Sequence, residues 1–196
     1  MKISTRLLSI FFAAWLLQGC STTGQGVGDD FSFATEPNVG LFAFALRWDR
    51  KCEKSNILLP VHAKSYISGG KGLTLINFEN PFLSEDFENP PGYFYIIGGE
   101  PGKRKLDDVT LVMDHNNYKI SFKPITFNIF KGKLNYLGEL YVKAENCRHK
   151  VVRNISFPVG DATVKITDQW KRDKKIIIKR LKNIKNIKVV KQLMKQ

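Results

Sequence analysis

The stretch Val109 to Ile129, VTLVMDHNNYKISFKPITFNI, decides the fold class. Val109, Leu111 and Met113 alternate with other residues, then Tyr118, Ile120 and Phe122 do the same, then Ile125, Phe127 and Ile129. A period of two puts successive side chains on opposite faces, which is a strand signature and no helix signature. His115-Asn116-Asn117 separates the first two runs and predicts a hairpin turn, because Asn tolerates positive φ. Pro124 lacks a backbone donor, so it predicts a bulge or an edge.

Upstream, Phe42, Phe44, Leu46 and Trp48 alternate with Ala43, Ala45 and Arg47, which predicts a half-buried strand. Leu73, Leu75 and Phe78 suggest another, and Tyr93 to Ile97 is a short apolar strand between Pro90-Pro91-Gly92 and Gly98-Gly99. Downstream, Lys131-Gly132-Lys133 is a turn, Leu134 to Lys143 returns, and Val151 to Val159 and Ala162 to Thr167 complete the set. About eight strands with turn signals between them predict a mainly β domain over residues 31–167, an antiparallel two-sheet β-sandwich. The 14 Phe suit such a core.

Beyond residue 167 the period changes. Thr167 or Asp168 can cap a helix, and Ile177, Leu181, Ile184 and Ile187 recur at helical spacing with Ile176 close by. Lys188 and Lys191 then fall on the stripe, so the helix is expected to fray there. This C-terminal segment, residues 168–196, holds the charge. Eleven Lys or Arg stand against Asp173 between Lys171 and Gln196, a net +10 out of the chain's +13. The rest is nearly neutral, so a pI of 9.7 describes the tail and not the domain. Two uses of the tail stay open. The helix packs on the domain with a solvated lysine side, or it lies on an anionic lipid or envelope polymer through Lys174, Lys175, Lys179, Arg180, Lys182 and Lys185. Nucleic acid is not expected, since no binding module is recognisable.

At the other end, Lys2 and Arg6 precede Leu7 to Leu17, LLSIFFAAWLL, which is apolar but for Ser9 and too short to span a bilayer. With Leu17-Gln18-Gly19-Cys20 it resembles a bacterial lipoprotein precursor with its lipobox, although Gln18 departs from the commoner small residue. The resemblance implies that residues 1–19 are removed, that Cys20 is acylated, and that the chain is held in the cell envelope. Ser21 in place of Asp then implies the outer membrane. Residues 20–30, Cys20 and STTGQGVGDD, form a flexible tether spanning roughly 15–20 Å.

With Cys20 carrying lipid, Cys52 and Cys147 remain as a pair in an oxidising compartment, and a disulfide between them is expected. It would contribute about 4–5 kcal/mol in the chain-entropy model. The alternatives are a reactive thiol or a metal site using Cys147 and His149, but Cys-x-His lacks a second cluster. His62, His115 and His149 form no catalytic spacing, and Gly69-Gly70-Lys71-Gly72 lacks the spacing of a phosphate loop. Asp107-Asp108 and Glu85-Asp86 are adjacent pairs whose members point to opposite faces of a strand. No cofactor or metal is expected.

Finally, Pro91-Gly92-Tyr93, Phe127-Asn128-Ile129, Gly132-Lys133 and Tyr136-Leu137-Gly138-Glu139-Leu140 occur in that order. They resemble a loose group of bacterial lipoproteins with a prealbumin-like or carboxypeptidase-regulatory-like sandwich, a Gly-x-Tyr element, a hairpin and a C-terminal helix. That resemblance implies a fold and no catalytic residues. The functional expectation is a membrane-anchored, non-enzymatic binding or structural module with an envelope protein or polymer as partner. The alternative is an envelope enzyme whose site assembles from scattered loop residues.

Overall fold

In a computed structural model, the chain is described at residue 27 and over 31–50, 62–69, 74–79, 86–88, 91–113, 116–152, 155–184 and 186–196. Its elements are β1 (Gly40–Arg50), β2 (His62–Ile67), β3 (Thr74–Glu79), β4 (Phe87–Glu88), β5 (Pro91–Gly99), β6 (Gly102–Met113), β7 (Asn116–Ile129), β8 (Leu134–Val152), β9 (Ile155–Thr167), α1 (Trp170–Arg180) and β10 (Val189–Lys191). The chain is therefore mainly β with a C-terminal helix, as the alternation predicts.

The sheet is not purely antiparallel. The strands run in one path, β3-β2-β6-β7-β9-β8-β1-β5-β4, with β10 added to β8. β1 is antiparallel to β5 but parallel to β8, and β7–β9 and β10–β8 are parallel as well. Period-two alternation reports that a residue is in a strand and which face it takes, but not the direction of its neighbour, which is why the expectation of antiparallel pairing fails here. The sheet curls. Strands β1 and β3, far apart in the path, come into contact, as do β3 and β5.

Two apolar clusters form, one on each side of β1. Phe42, Phe44, Leu46 and Trp48 enter the concave core with Tyr93, Tyr95, Leu106, Val109, Ile125, Phe127 and Ile129. Leu41, Ala43 and Ala45 face the convex side with Phe94, Ile96, Leu134 and Tyr136, under Ile177 and Leu181 of α1. Residues 41–46 are thus buried on both faces, where alternation predicts half-burial. The large-small pattern, Phe with Ala, suits a strand with a deep core on one side and a close-packed helix on the other.

The β6–β7 hairpin forms where expected, but Met113 pairs with Asn116 and Val112 with Asn117. Both asparagines therefore lie in β7, and only residues 114 and 115 connect the strands. Pro124 sits in a bulge, since Leu106 pairs with Ile125 and Asp108 with Ser121, leaving extra residues on β7. Beyond that bulge β7 and β9 part; their pairing covers Ile120 and Ser121. The turn at Gly132 (φ 63°) is present, yet β7 and β8 do not close a hairpin, because β9 lies between them in the sheet. Asn135 fixes this corner by donating to the Leu41 carbonyl (2.8 Å) and accepting from Phe130 N–H (3.2 Å).

The tail does not fray at Lys188. It fills the wedge left between β7 and β8. Leu134 N–H donates to Lys188 O (3.0 Å), Gln192 N–H to Tyr136 O (2.9 Å) and Met194 N–H to Leu137 O (3.1 Å), while Lys195 and Thr126 exchange two backbone bonds (2.7 and 2.9 Å). Met194 is buried in the concave core, and Leu193 packs on the convex cluster.

Candidate functional site

The helix α1 begins beside a group of charged residues that hold it to the sheet. Asp173 is fully buried on the inward stripe, four residues before Ile177. Its carboxylate accepts from Tyr136 O–H (2.7 Å) and from Arg172 Nε (2.7 Å). Arg172 also donates to Glu139, buried on β8, at 2.7 Å. Arg47 of β1 approaches the same carboxylate at 3.8 Å. Both guanidiniums stand over the Phe87 ring, Arg172 at 4.3 Å and Arg47 at 5.7 Å. Tyr136 O–H in turn accepts from Gln169 N–H (3.1 Å), and its ring meets Trp170 edge-on at 5.0 Å. Asp168 accepts from Trp170 N–H (3.1 Å), though Gln169 holds the N-cap position in place of Thr167 or Asp168.

Burial raises the Tyr136 hydroxyl far above its ordinary range, with the neighbouring Asp173 adding to the effect. Burial also raises Asp173, against the opposing pull of Arg172 and Tyr136. Burial lowers Arg172, but its bonds to Asp173 and Glu139 outweigh that and the net direction is up. A tyrosine that gives up its proton so reluctantly makes a poor general acid, and its hydrogen is spent on Asp173. The cluster positions the helix; it offers no nucleophile.

It also gives physical meaning to Tyr136-Leu137-Gly138-Glu139-Leu140. Gly138 takes φ 89°, and a Cβ there would lie 2.6 Å from Thr167 O and 2.9 Å from Leu193 Cδ2. The β1–β8 register shifts at this point, from Ala43↔Tyr136 to Ala45↔Glu139. The bulge lets Tyr136 face the helix while Leu137 and Leu140 both enter the concave core. The motif is a seat for α1.

On the outer side of α1, Lys171, Lys174, Lys175 and Lys179 are exposed, as is Lys182 just past its end, and Ile178 stands 60% exposed among them. Of the basic residues predicted to meet an anionic surface, the structure brings Lys174, Lys175, Lys179 and Lys182 to this side. Arg180, though exposed, has its guanidinium tied to the sheet. It donates to the Phe94 carbonyl and pairs with Asp86, whose other oxygen accepts from Phe94 N–H (2.7 Å). Lys185 lies outside the described residues, as do Cys20, Cys52, His115 and Glu85. Cys147, His149 and His62 lie on strands β8 and β2, with their side chains outside the description. Asp107 pairs with Lys105 at 2.6 Å. Among the described residues, no group of three His, Cys, Asp or Glu is placed to hold a metal.

The clasp was not visible in the sequence because Tyr136 and Glu139 stand more than thirty positions before Arg172. One signal could have found it: Asp173 is the single acid of a strongly basic segment and occupies the apolar stripe itself. No protein-family description, curated protein or solved structure matches this chain.

Proposed function

We propose that this chain is a lipid-anchored protein of the bacterial cell envelope whose domain is a non-enzymatic binding module. In this reading Cys20 carries the lipid, and the outer side of α1 rests on an anionic surface, either lipid or envelope polymer. One observation carries it. The inner stripe of α1 is fastened by Asp173, Ile177 and Leu181, which leaves Lys171, Lys175, Lys179 and Lys182 around the exposed Ile178. A lysine near an anionic membrane contributes about 1 kcal/mol, and Ile178 adds a single apolar contact at the acyl boundary. Because the other isoleucines are committed to the domain, the helix binds flat and does not insert.

The lipobox and the resemblance to sandwich lipoproteins support the same placement, at the outer membrane. The two halves of the curled sheet then act as the layers of a sandwich, supported by the contact of β1 with β3 and β7. A Cys52–Cys147 disulfide belongs to this reading, since the compartment is oxidising.

The test is sedimentation of the chain lacking residues 1–20 with vesicles. Binding to anionic vesicles but not neutral ones, released as salt rises, supports the proposal. Equal binding to both, or none at low salt, removes it. Fatty-acid labelling of the whole chain, lost in Cys20→Ala, tests the anchor separately.

A further inference from the structure

On the outer surface of the sheet, where the tail meets β7, lies a cavity of about 260 Å³ lined by Lys103, Thr126, Phe127, Asn128, Gln192 and Lys195. We propose that it binds a phosphorylated sugar. None of the lining residues belongs to α1 or its outer lysines.

The lining contains two lysines and no acid. Lys103 pairs across β6–β7 with Asn128, and Lys195 pairs from the other side with Thr126. The two lysines therefore flank β7 with an offset of two residues. From the ≈ 4.8 Å spacing of strands and the rise per residue, their Cα atoms are roughly 12 Å apart. Lysine side chains spring from both sides of that gap and can meet on one anion within it. Among the described residues neither has an acidic partner. Phosphate is the anion that a pair of ammonium groups suits, since each offers rotatable donors to a compact oxyanion.

The remaining residues point to a hydroxylated ligand in place of a bare ion. The pocket is half open to solvent, and its volume of about 260 Å³ is more than a phosphate fills and less than an ordinary drug-sized pocket of roughly 300–1,000 Å³. Thr126 and Asn128 line it with groups that both donate and accept. Gln192 Oε1 is shut away from solvent and accepts no hydrogen bond. A sugar hydroxyl entering beside Gln192 gives this oxygen a donor after a small turn of the amide. The backbone bridge between Lys195 and Thr126 fixes this wall against β7, so only the Gln192 side chain has to move when the ligand arrives.

The experiment is calorimetric titration of the whole chain in detergent micelles with glucose 6-phosphate, glucose and inorganic phosphate. Glucose 6-phosphate is expected to bind at least about tenfold more tightly than either fragment, and Lys103→Gln and Lys195→Gln each to weaken it about tenfold, the loss of one charge-assisted contact. Both substitutions keep the backbone bonds, and unchanged thermal midpoints verify the fold. Lys179→Gln on α1 is expected to leave this binding as it is. No binding of glucose 6-phosphate, phosphate binding as tightly as the sugar phosphate, a double Lys103→Gln/Lys195→Gln variant that still binds, or an equal loss in Lys179→Gln would each overturn the proposal. Phosphatidylcholine vesicles with and without monophosphoryl lipid A distinguish the source. Capture by the lipid-bearing vesicles that fails in the double variant assigns the sugar phosphate to a membrane headgroup; competition by glucose 6-phosphate alone assigns it to a soluble ligand. Either result carries the proposed chemistry.

Discussion

The two faces of β1 are buried by different means. On the concave side, Phe42 stacks near Phe44 at 6.2 Å and Phe44 on Tyr95 at 5.3 Å, in a core whose contacts are apolar and tolerant of direction. On the convex side, small alanines admit α1 closely, and the helix is fixed by Tyr136, Asp173, Arg172 and Glu139 through bonds of defined direction. The first face supplies cohesion. The second supplies a single orientation for the helix at some cost in desolvation, because buried charges repay their dehydration only with good geometry. Orientation matters here because it decides which lysines face outward.

The contrast can be broken most severely from the concave side. Phe44→Ala is expected to lose about 3–5 kcal/mol, read from urea unfolding, through lost contacts and the cavity left behind. Asp173→Ala should cost about 3 kcal/mol, at the lower end for a buried pair because Arg172 keeps 32% side-chain exposure. A loss under ~1 kcal/mol would mean that the clasp orients nothing. Tyr136→Phe, which strips the hydroxyl from both Asp173 and Gln169 N–H, should cost about 1–2 kcal/mol and leave the concave core as it was.

A pH series sharpens the comparison further. Asp173 holds its proton more firmly folded than unfolded, because burial raises it above its ordinary 3.8. The folded state therefore binds the extra proton, and stability falls as pH rises from about 3.8 through the raised value. Asp173→Asn keeps an acceptor for Tyr136 and removes this slope. The difference in unfolding free energy between the two proteins should change only across that window. The smallest effect lies farthest from either face: Lys179→Gln should leave stability within about 0.5 kcal/mol and weaken anionic-vesicle binding about fivefold.

Much of the fold was legible wherever a face is decided locally. Phe42 to Trp48, Tyr93 to Ile97 and the Pro124 bulge all follow from side-chain spacing and from the missing donor of proline. What periodicity omits is partnership. Nothing in residues 41–46 says that β8 runs parallel beside them, and the Ala positions betray the second buried face only once the helix is known. The helical stripe holds for Ile177 and, at the cap, Leu181; Ile184 and Ile187 pack on the convex cluster as well, but from the chain beyond Arg180, where α1 has ended. The final strand escaped notice because Val189, Val190, Leu193 and Met194 are split by Lys191 and Gln192, too few to show a period. Of the candidate site, the exposed lysines could be named in advance, but the tie of Arg180 to Asp86 depends on a residue 94 positions away.

That separation recurs at the centre of the sheet, where it governs time as well as stability. Asn135 bonds the carbonyl of Leu41 across 94 positions, and β1 has β8 as one of its two neighbours. Contacts so distant along a chain form late, since each requires a large loop to close before it gains anything in return. Until β5 and β8 have both arrived, Leu41 to Trp48 remains an apolar strand with two uncovered faces and two unpaired edges. The segment most protected in the finished molecule is therefore the one most prone to wrong pairing while the molecule is being made, and slow refolding with loss to aggregates at high concentration is the behaviour this topology entails.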